Sequence, residues 1–417
     1  MIKNYLFYAS PALPLALLGL PLYVYLPTYY AQDLQLGVME VGIVLLLARI
    51  LDMITDPLIG YVSDRYLSRK IFMFLGSFLL LSAFYFLTHP GQNASIFSLF
   101  TFSMIVYLGW SFISIPYYAI GSDIGRNYKE NTSYASYREL FNIFGVLLAL
   151  VIPYMYEVSE DAEKSLQLLN NVILLVLPVV ILIFFITVKT KMDAKSYNSI
   201  TQIYSSIINK VKTSKYLFSA FFLNNFANAL PSTLFLLYVE LVLVSKEHSG
   251  SLLLIYFISG VIALPFWYFL ANKISKKTTW ILSMINAIVF FSFVPFLGAG
   301  DYEYFLFITI FSGMSLGADM ALPASMQADL IQKHNSSKIQ VGGALFGIFA
   351  MITKLSLAIA VGVSFFILGL FDFIPENPTK EGLIVLSLLY GALPVVLKIL
   401  AIFTLLRFSE KTNNQLT

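Results

Sequence analysis

Leu47-Ala48-Arg49-Ile50-Leu51-Asp52-Met53-Ile54-Thr55-Asp56-Pro57-Leu58-Ile59-Gly60-Tyr61-Val62-Ser63-Asp64-Arg65 is the stretch on which the reading of this chain turns. Its apolar residues suit a membrane helix, yet Arg49, Asp52 and Asp56 lie in its middle. A charge deep in a bilayer costs at least ~2.5–3.5 kcal/mol, so a helix tolerates it only beside a wet cavity or a partner. Asp52 and Asp56 are four positions apart and share one helix face, with Arg49 one turn earlier. Two carboxylates on one face repel each other unless a proton or a metal ion sits between them. That is the requirement of a proton- or sodium-coupling site. The structural alternative has these acids pairing with Arg49 and Lys354 to hold helices together. The two uses are compatible, because pairs that exchange partners can couple ion binding to movement.

The rest of the chain reads as membrane protein too. Hydrophobic residues make up 58% of its 417 positions and charged ones only 12%. A water-soluble domain carries about twice that charge fraction. A crossing takes about 20 apolar helical residues. Twelve such runs centre near Leu17, Ile50, Leu79, Tyr107, Leu148, Leu177, Phe222, Ile262, Ile288, Phe311, Met351 and Leu393. The first run, from about Leu6 to Tyr30, exceeds a signal-peptide core and lacks a small-residue cleavage pattern. It is read as a span.

Basic residues set the expected orientation. Lys3, Arg65, Arg69, Lys70, Arg126, Lys129, the lysines from Lys189 to Lys215, Lys273, Lys276, Lys277, Lys333, Lys338, Arg407 and Lys411 fall on one side. Only Lys164, Lys246 and Lys380 fall in the alternate loops. Both ends are therefore expected in the cytoplasm, with the chain in a bacterial inner membrane. The polar interval 189–215 is expected to join an N-terminal bundle, 1–188, to a C-terminal one, 216–417. It reads either as a tether or as an amphipathic helix on the inner surface. Two six-helix bundles so joined are the layout of the major facilitator fold.

Within this frame, Ala-Arg-Ile-x-Asp-x-x-x-Asp-Pro-x-x-Gly, at Ala48 to Gly60, resembles the helix II signature of the glycoside–pentoside–hexuronide:cation symporters, the melibiose-permease-like family of that superfamily. Ile115-Pro116-Tyr117-Tyr118-Ala119, then Tyr128, Glu130, Asn131, Tyr137 and Arg138, is similar to the family's helix IV, loop and helix V. Ala328-Asp329 and Lys354 resemble its helices X and XI, and Gly60-x-x-x-Asp64-Arg65 fits the loop after helix II. The resemblance implies a cation site on Asp52, Asp56 and a helix IV hydroxyl, Ser111. It places Lys354 as a sensor of that site's charge and Arg138 near the substrate pocket. An ion pair of Arg138 with Glu139 or Asp123 is the plainer reading of that arginine. Tyr117 and Tyr118 are assigned to the same pocket, and Asp64, Arg65, Arg126 and Asp329 to a cytoplasmic gate, with fixing of the loops at those helix ends as the other use of Asp64, Arg126 and Asp329.

Two departures bear on the substrate. The family's sugar-binding carboxylates fall near Leu17 and on Ser114, and neither position is acidic. The coupling site looks kept and the substrate site changed. Asp319, mid-span in Gly317-Ala318-Asp319-Met320-Ala321, is open to three roles: a second proton site, a partner for a substrate amine, or a partner for Lys354. Asn224, Asn225 and Asn228 either line the pocket or bond a neighbouring helix. The prolines of the first span are expected to bend it, and Tyr29 and Tyr30 to lie in the interfacial aromatic belt.

Other chemistries lack their residues. With no cysteine and His89, His248 and His334 scattered in loops, no metal-ligand cluster forms. There is no P-loop for ATP, no clustered nucleophile and base for an enzyme, and no feature that calls for nucleic acid. The expectation is a monomeric transporter without a cofactor, using Na+ or H+ as coupling ion. It would symport a small polar, sugar-like solute. The alternative is the same fold carrying a more apolar substrate, such as a lipid, drug or siderophore, and possibly exporting it.

Overall fold

The computed structural model describes residues 2–409, except 37, 66–67, 92–93, 126–127, 159–160, 190–213, 336–341, 372 and 374–377. Most of the expected linker therefore lies outside the described residues. Among the described residues the secondary structure is helical throughout. The helices are α1 (Ile2–Ala9), α2 (Ala12–Leu20), α3 (Leu26–Thr28), α4 (Val38–Arg65), α5 (Arg69–Thr88), α6 (Ile96–Ile124), α7 (Tyr128–Met155) and α8 (Ala162–Thr187). There follow α9 (Ser214–Leu237), α10 (Ser249–Lys273), α11 (Lys276–Phe291), α12 (Tyr302–Asn335), α13 (Gly342–Leu370), α14 (Lys380–Ser387) and α15 (Leu393–Leu406).

Ten of the described helical segments are long and apolar enough to cross a membrane. The two other expected crossings have physical reasons to look different. In α4 the charged residues interrupt the apolar run. The first crossing is broken by a turn at Ser10–Pro11 between α1 and α2, and wide π turns at Pro21–Tyr25 and Tyr29–Asp33 lie on either side of α3. Proline lacks the N–H that a regular turn needs and its ring clashes with the preceding carbonyl, so the helix widens or kinks there. The bend expected from the prolines is thus present. Tyr29 and Tyr30, however, are not in an interfacial belt. They are 4% and 0% exposed, and the Tyr30 hydroxyl donates to the Leu87 carbonyl at 3.1 Å. Leu87 is in the last turn of α5, where carbonyls lack partners within the helix, so the phenol can be buried without an unmet polar group.

The chain divides into two compact units: residues 1–204 with 327–351, and residues 205–326 with 352–417. In the first unit α4 and α5 pack along α6, and α2 packs along α7. Close approach of α5 and α6 depends on Gly76 and Gly109. A Cβ on Gly109 would sit 2.7 Å from the Leu80 nitrogen and 2.9 Å from the Gly76 carbonyl. Ser68, Ser95 and Asp161 accept from backbone N–H groups at the starts of α5, α6 and α8, offsetting the orphan donors of each first turn. In the second unit α9 and α11 both pack on α15. There Tyr238 stacks on Tyr390 at 4.2 Å and donates to the Val294 carbonyl at 2.8 Å.

Candidate functional site

In the first unit, α4 and α6 bring together the three residues expected to form the coupling site. Asp52 and Asp56 are 1% and 0% exposed, and Ser111 on α6 is 1% exposed. The Ser111 Oγ lies 3.1 Å from Asp52 Oδ1 and 2.7 Å from Asp56 Oδ1. A hydroxyl carries one hydrogen, so it donates to one carboxylate at a time, the nearer Asp56. Arg49 reaches Asp52 Oδ2 from one turn away at 3.5 Å, and its guanidinium lies over the Tyr107 ring at 4.3 Å. Two carboxylates are thus held close to one hydroxyl, with a guanidinium beside one of them. The oxygen atoms are hard ligands of the kind an alkali cation takes, and either carboxylate can equally take a proton. Tyr107 was not singled out from the sequence, although its place four residues before Ser111 on α6 puts both on one face.

The pocket residues divide between the two units. In the first, Arg138 pairs with its neighbour Glu139, with Nε at 2.8 Å and Nη2 at 2.5 Å from Oε1, and it stacks on Tyr118 at 4.3 Å. Asn142 donates to the other oxygen of Glu139 at 3.2 Å. Asp123, the other partner considered for Arg138, is bonded by Arg69 instead. Tyr117 is fully buried against Tyr8 and Phe184, and Ser114 is 7% exposed. Leu17 is a core residue, 2% exposed. In the second unit Asn224, Asn228 and Asp319 converge, whereas Asn225 donates to the Phe221 carbonyl of its own helix at 2.7 Å. The lysine bonded to Asp319 is Lys398 of α15, at 2.9 Å. Lys354 is half-buried in α13 within this unit.

Three of the residues expected at a gate make contacts within the first unit. Asp64 Oδ1 accepts from Arg69 Nη2 at 2.7 Å and from the Gly343 N–H at 2.9 Å, while Oδ2 accepts from the Ala344 N–H at 3.1 Å. Asp64 thus satisfies the first donors of α13, where a negative charge is also favoured by the helix dipole. Asn131 donates to Asp329 at 2.7 Å. Arg65 donates to the Tyr61 hydroxyl on its own helix. Arg126 lies outside the described residues. Arg69, read from the sequence only as one more loop cation, is 2% exposed and joins Asp64 to Asp123. Lys398 was missed altogether. The signal was available, since it is a lysine inside the last apolar run, subject to the same argument as Asp52.

Comparison with known proteins agrees with this architecture. The model of the MFS/sugar transport protein family matches residues 7–410. The chain belongs to that family. It is a multi-pass integral membrane transporter of the major facilitator superfamily. It is 23% identical to a sphingosine-1-phosphate transporter, MFSD2B, of Xenopus tropicalis, over 94% of this chain and 84% of that protein. It is equally 23% identical to the sodium-dependent lysophosphatidylcholine symporter 1-B of Danio rerio, over 96% of this chain and 86% of that one. Among solved structures, the transporter FucP in its outward conformation matches with a TM-score of 0.70 at 14% identity, covering 96% of this chain and 99% of FucP.

Proposed function

We propose that this transporter is a cation-coupled symporter working by alternating access, with Na+ or H+ held by Asp52, Asp56 and Ser111. The observation that carries this reading is the Ser111 hydroxyl set between two carboxylates that are at most 1% exposed. Two buried carboxylates on one helix face repel each other unless a proton or a cation is shared between them, and a site that takes up such an ion responds to an ion gradient. Arg49 belongs to this charge set through Asp52. Lys354 is assigned as a sensor of its state on the family resemblance alone. Asp64, Arg65, Arg126 and Asp329 are assigned to the cytoplasmic gate. Cation and substrate each strengthen the other's binding by the same factor.

For the substrate, the site favours an amphiphilic solute over a sugar. The positions at which a melibiose-permease-like transporter carries sugar-binding acids fall near a core leucine, Leu17, and on a buried serine, Ser114. Neither can accept the hydrogen bonds of adjacent sugar hydroxyls as a carboxylate does. Relatives named for lysophosphatidylcholine and sphingosine-1-phosphate support the same choice. The description of the family as a sugar transport protein supports the second reading, a sugar-like solute. Uptake into proteoliposomes decides between them. A Na+ gradient or a proton gradient should drive accumulation of a labelled lysophospholipid, and Asp52→Asn should abolish the gradient dependence while the protein still assembles. Full accumulation by that variant overturns the coupling site. Accumulation of sugars but not of lysophospholipids restores the sugar reading.

A further inference from the structure

The second unit holds a buried ion pair that the coupling site does not use. Lys398 Nζ donates to Asp319 Oδ2 at 2.9 Å and to Asn224 Oδ1 at 2.8 Å. Asp319 also accepts from Asn228 Nδ2 at 3.0 Å and from the Trp280 indole N–H at 3.0 Å. The Ser283 hydroxyl is 3.5 Å from Asp319 but only 3.1 Å from the Trp280 carbonyl, which is its nearer acceptor. Asn224, Asp319 and Lys398 are 1%, 9% and 6% exposed, while Asn228 is half-buried at the edge of the group. The residues come from α9, α11, α12 and α15.

Stability alone is a poor reason to keep such a pair. The cost of desolvating two charges offsets much of their attraction, and well-packed apolar residues commonly hold helices as well. The arrangement of donors points elsewhere. When Lys398 moves off, Asp319 keeps two uncharged donors, the indole and the Asn228 amide, so its carboxylate is not orphaned. Lys398 is a point charge on a flexible four-carbon stem, able to swing to a new acceptor while Asn224 still receives one of its three N–H groups. The pair is built to open.

Charge determines what can open it. An anion taken by Lys398 alone leaves the group one negative charge in excess, and a cation taken by Asp319 alone leaves one positive charge in excess. Either excess is costly in a buried site. A ligand that brings both signs preserves neutrality and replaces one ion pair by two. We infer that Lys398 and Asp319 are the binding site for a zwitterionic group, its acid on Lys398 and its ammonium on Asp319, with Asn224 and Asn228 orienting the two charges. This rests on the reading of the chain as a solute symporter and names the head of the solute. The group is carried either by a free zwitterion or by a lipid headgroup.

The test is thermal stability of the full chain, purified in a maltoside detergent, against phosphocholine, choline and inorganic phosphate. A parallel set in nanodiscs uses lysophosphatidylcholine. Lys398→Met alone leaves a buried carboxylate without its cation and is a poor variant to rely on. The double variant Asp319→Asn/Lys398→Met removes the pair without leaving a charge and is the one compared. Phosphocholine is expected to stabilise the wild type at concentrations at least tenfold below those at which choline or phosphate acts, and to lose that effect in the double variant. A response only to lysophosphatidylcholine, lost in the same variant, supports the site and assigns it to a lipid headgroup. An equal response to phosphate alone, a response unchanged in the double variant, or no wild-type response to either zwitterion overturns the inference. The Na+-induced shift in the same samples reports on Asp52 and Asp56 separately. It should survive in the double variant, so failure of the coupling reading and failure of this one are told apart.

Discussion

Asp56→Asn keeps the shape of the side chain and an oxygen for the Ser111 hydroxyl, 2.7 Å away in the wild type, but deletes one negative charge. Asp52 keeps Arg49 at 3.5 Å, and one of the two carboxylates proposed to hold the cation is gone. The loss can be sized from Coulomb's law. At 4 Å and an effective dielectric constant of 20, one unit charge acts on another with about 4 kcal/mol. At 1.4 kcal/mol per tenfold, this is about a thousandfold in cation affinity. The assay is Na+-dependent thermal stability, with calorimetric titration as the direct measure. At a Na+ concentration 100 times the wild-type dissociation constant, binding stabilises the wild type by about 2.7 kcal/mol. After a thousandfold loss, the same Na+ adds less than about 0.1 kcal/mol to the variant. Without Na+ the variant should be as stable as the wild type or more so, because carboxylate repulsion is removed. A variant that keeps Na+ affinity within about tenfold of the wild type would falsify the charge argument and return Asp56 to a structural role.

Arg49→Gln acts in the opposite sense. It leaves Asp52 without the guanidinium at 3.5 Å, so cation affinity should rise by about tenfold while gradient-driven transport slows; a calorimetric titration showing weaker binding contradicts this. Asp64→Ala removes one of the acidic partners of Arg69 and the acceptor of two backbone N–H groups of α13. Arg69 keeps its pair with Asp123, so the cost is mainly that of two buried N–H groups left without an acceptor, about 1–3 kcal/mol each; a clear fall in melting temperature is expected, and an unchanged melt would show the cluster to be dispensable. Tyr30→Phe deletes only the hydroxyl that donates to the Leu87 carbonyl. It should cost about 1 kcal/mol in thermal or denaturant unfolding, and a stability gain would show that the phenol is not needed where it is buried.

Much of the fold was legible because a bilayer imposes its own arithmetic on the chain. The apolar runs had to be helices of a given length, and most were recovered as such. The misreadings came from residues with two physical uses. A tyrosine near a helix end suits an interface, and Tyr30 instead entered the core once the Leu87 carbonyl was within reach. A basic residue after a helix suits a loop, and Arg69 became the buried centre between Asp64 and Asp123. Nothing local distinguishes these cases.

The clustering of the charged residues of α4 was readable because their relation is covalent: Arg49, Asp52 and Asp56 lie three and four positions apart, and helix geometry alone aligns them. The same holds for the buried cost of their charge, which marks them without any knowledge of neighbours. Spacing does not name the group from another helix that completes each set: the family resemblance put Ser111 beside Asp52 and Asp56, and the tertiary structure alone decided the partners of Asp123 and Asp319. Ser111 meets Asp56 across 55 positions, Arg69 meets Asp123 across 54, and Lys398 meets Asp319 across 79. Those meetings depend on how helices pack, on features such as the Gly76–Gly109 contact that lets α5 and α6 approach. Sequence spacing carries no information about them, because packing is fixed by the shapes of whole helix faces and not by the distance along the chain.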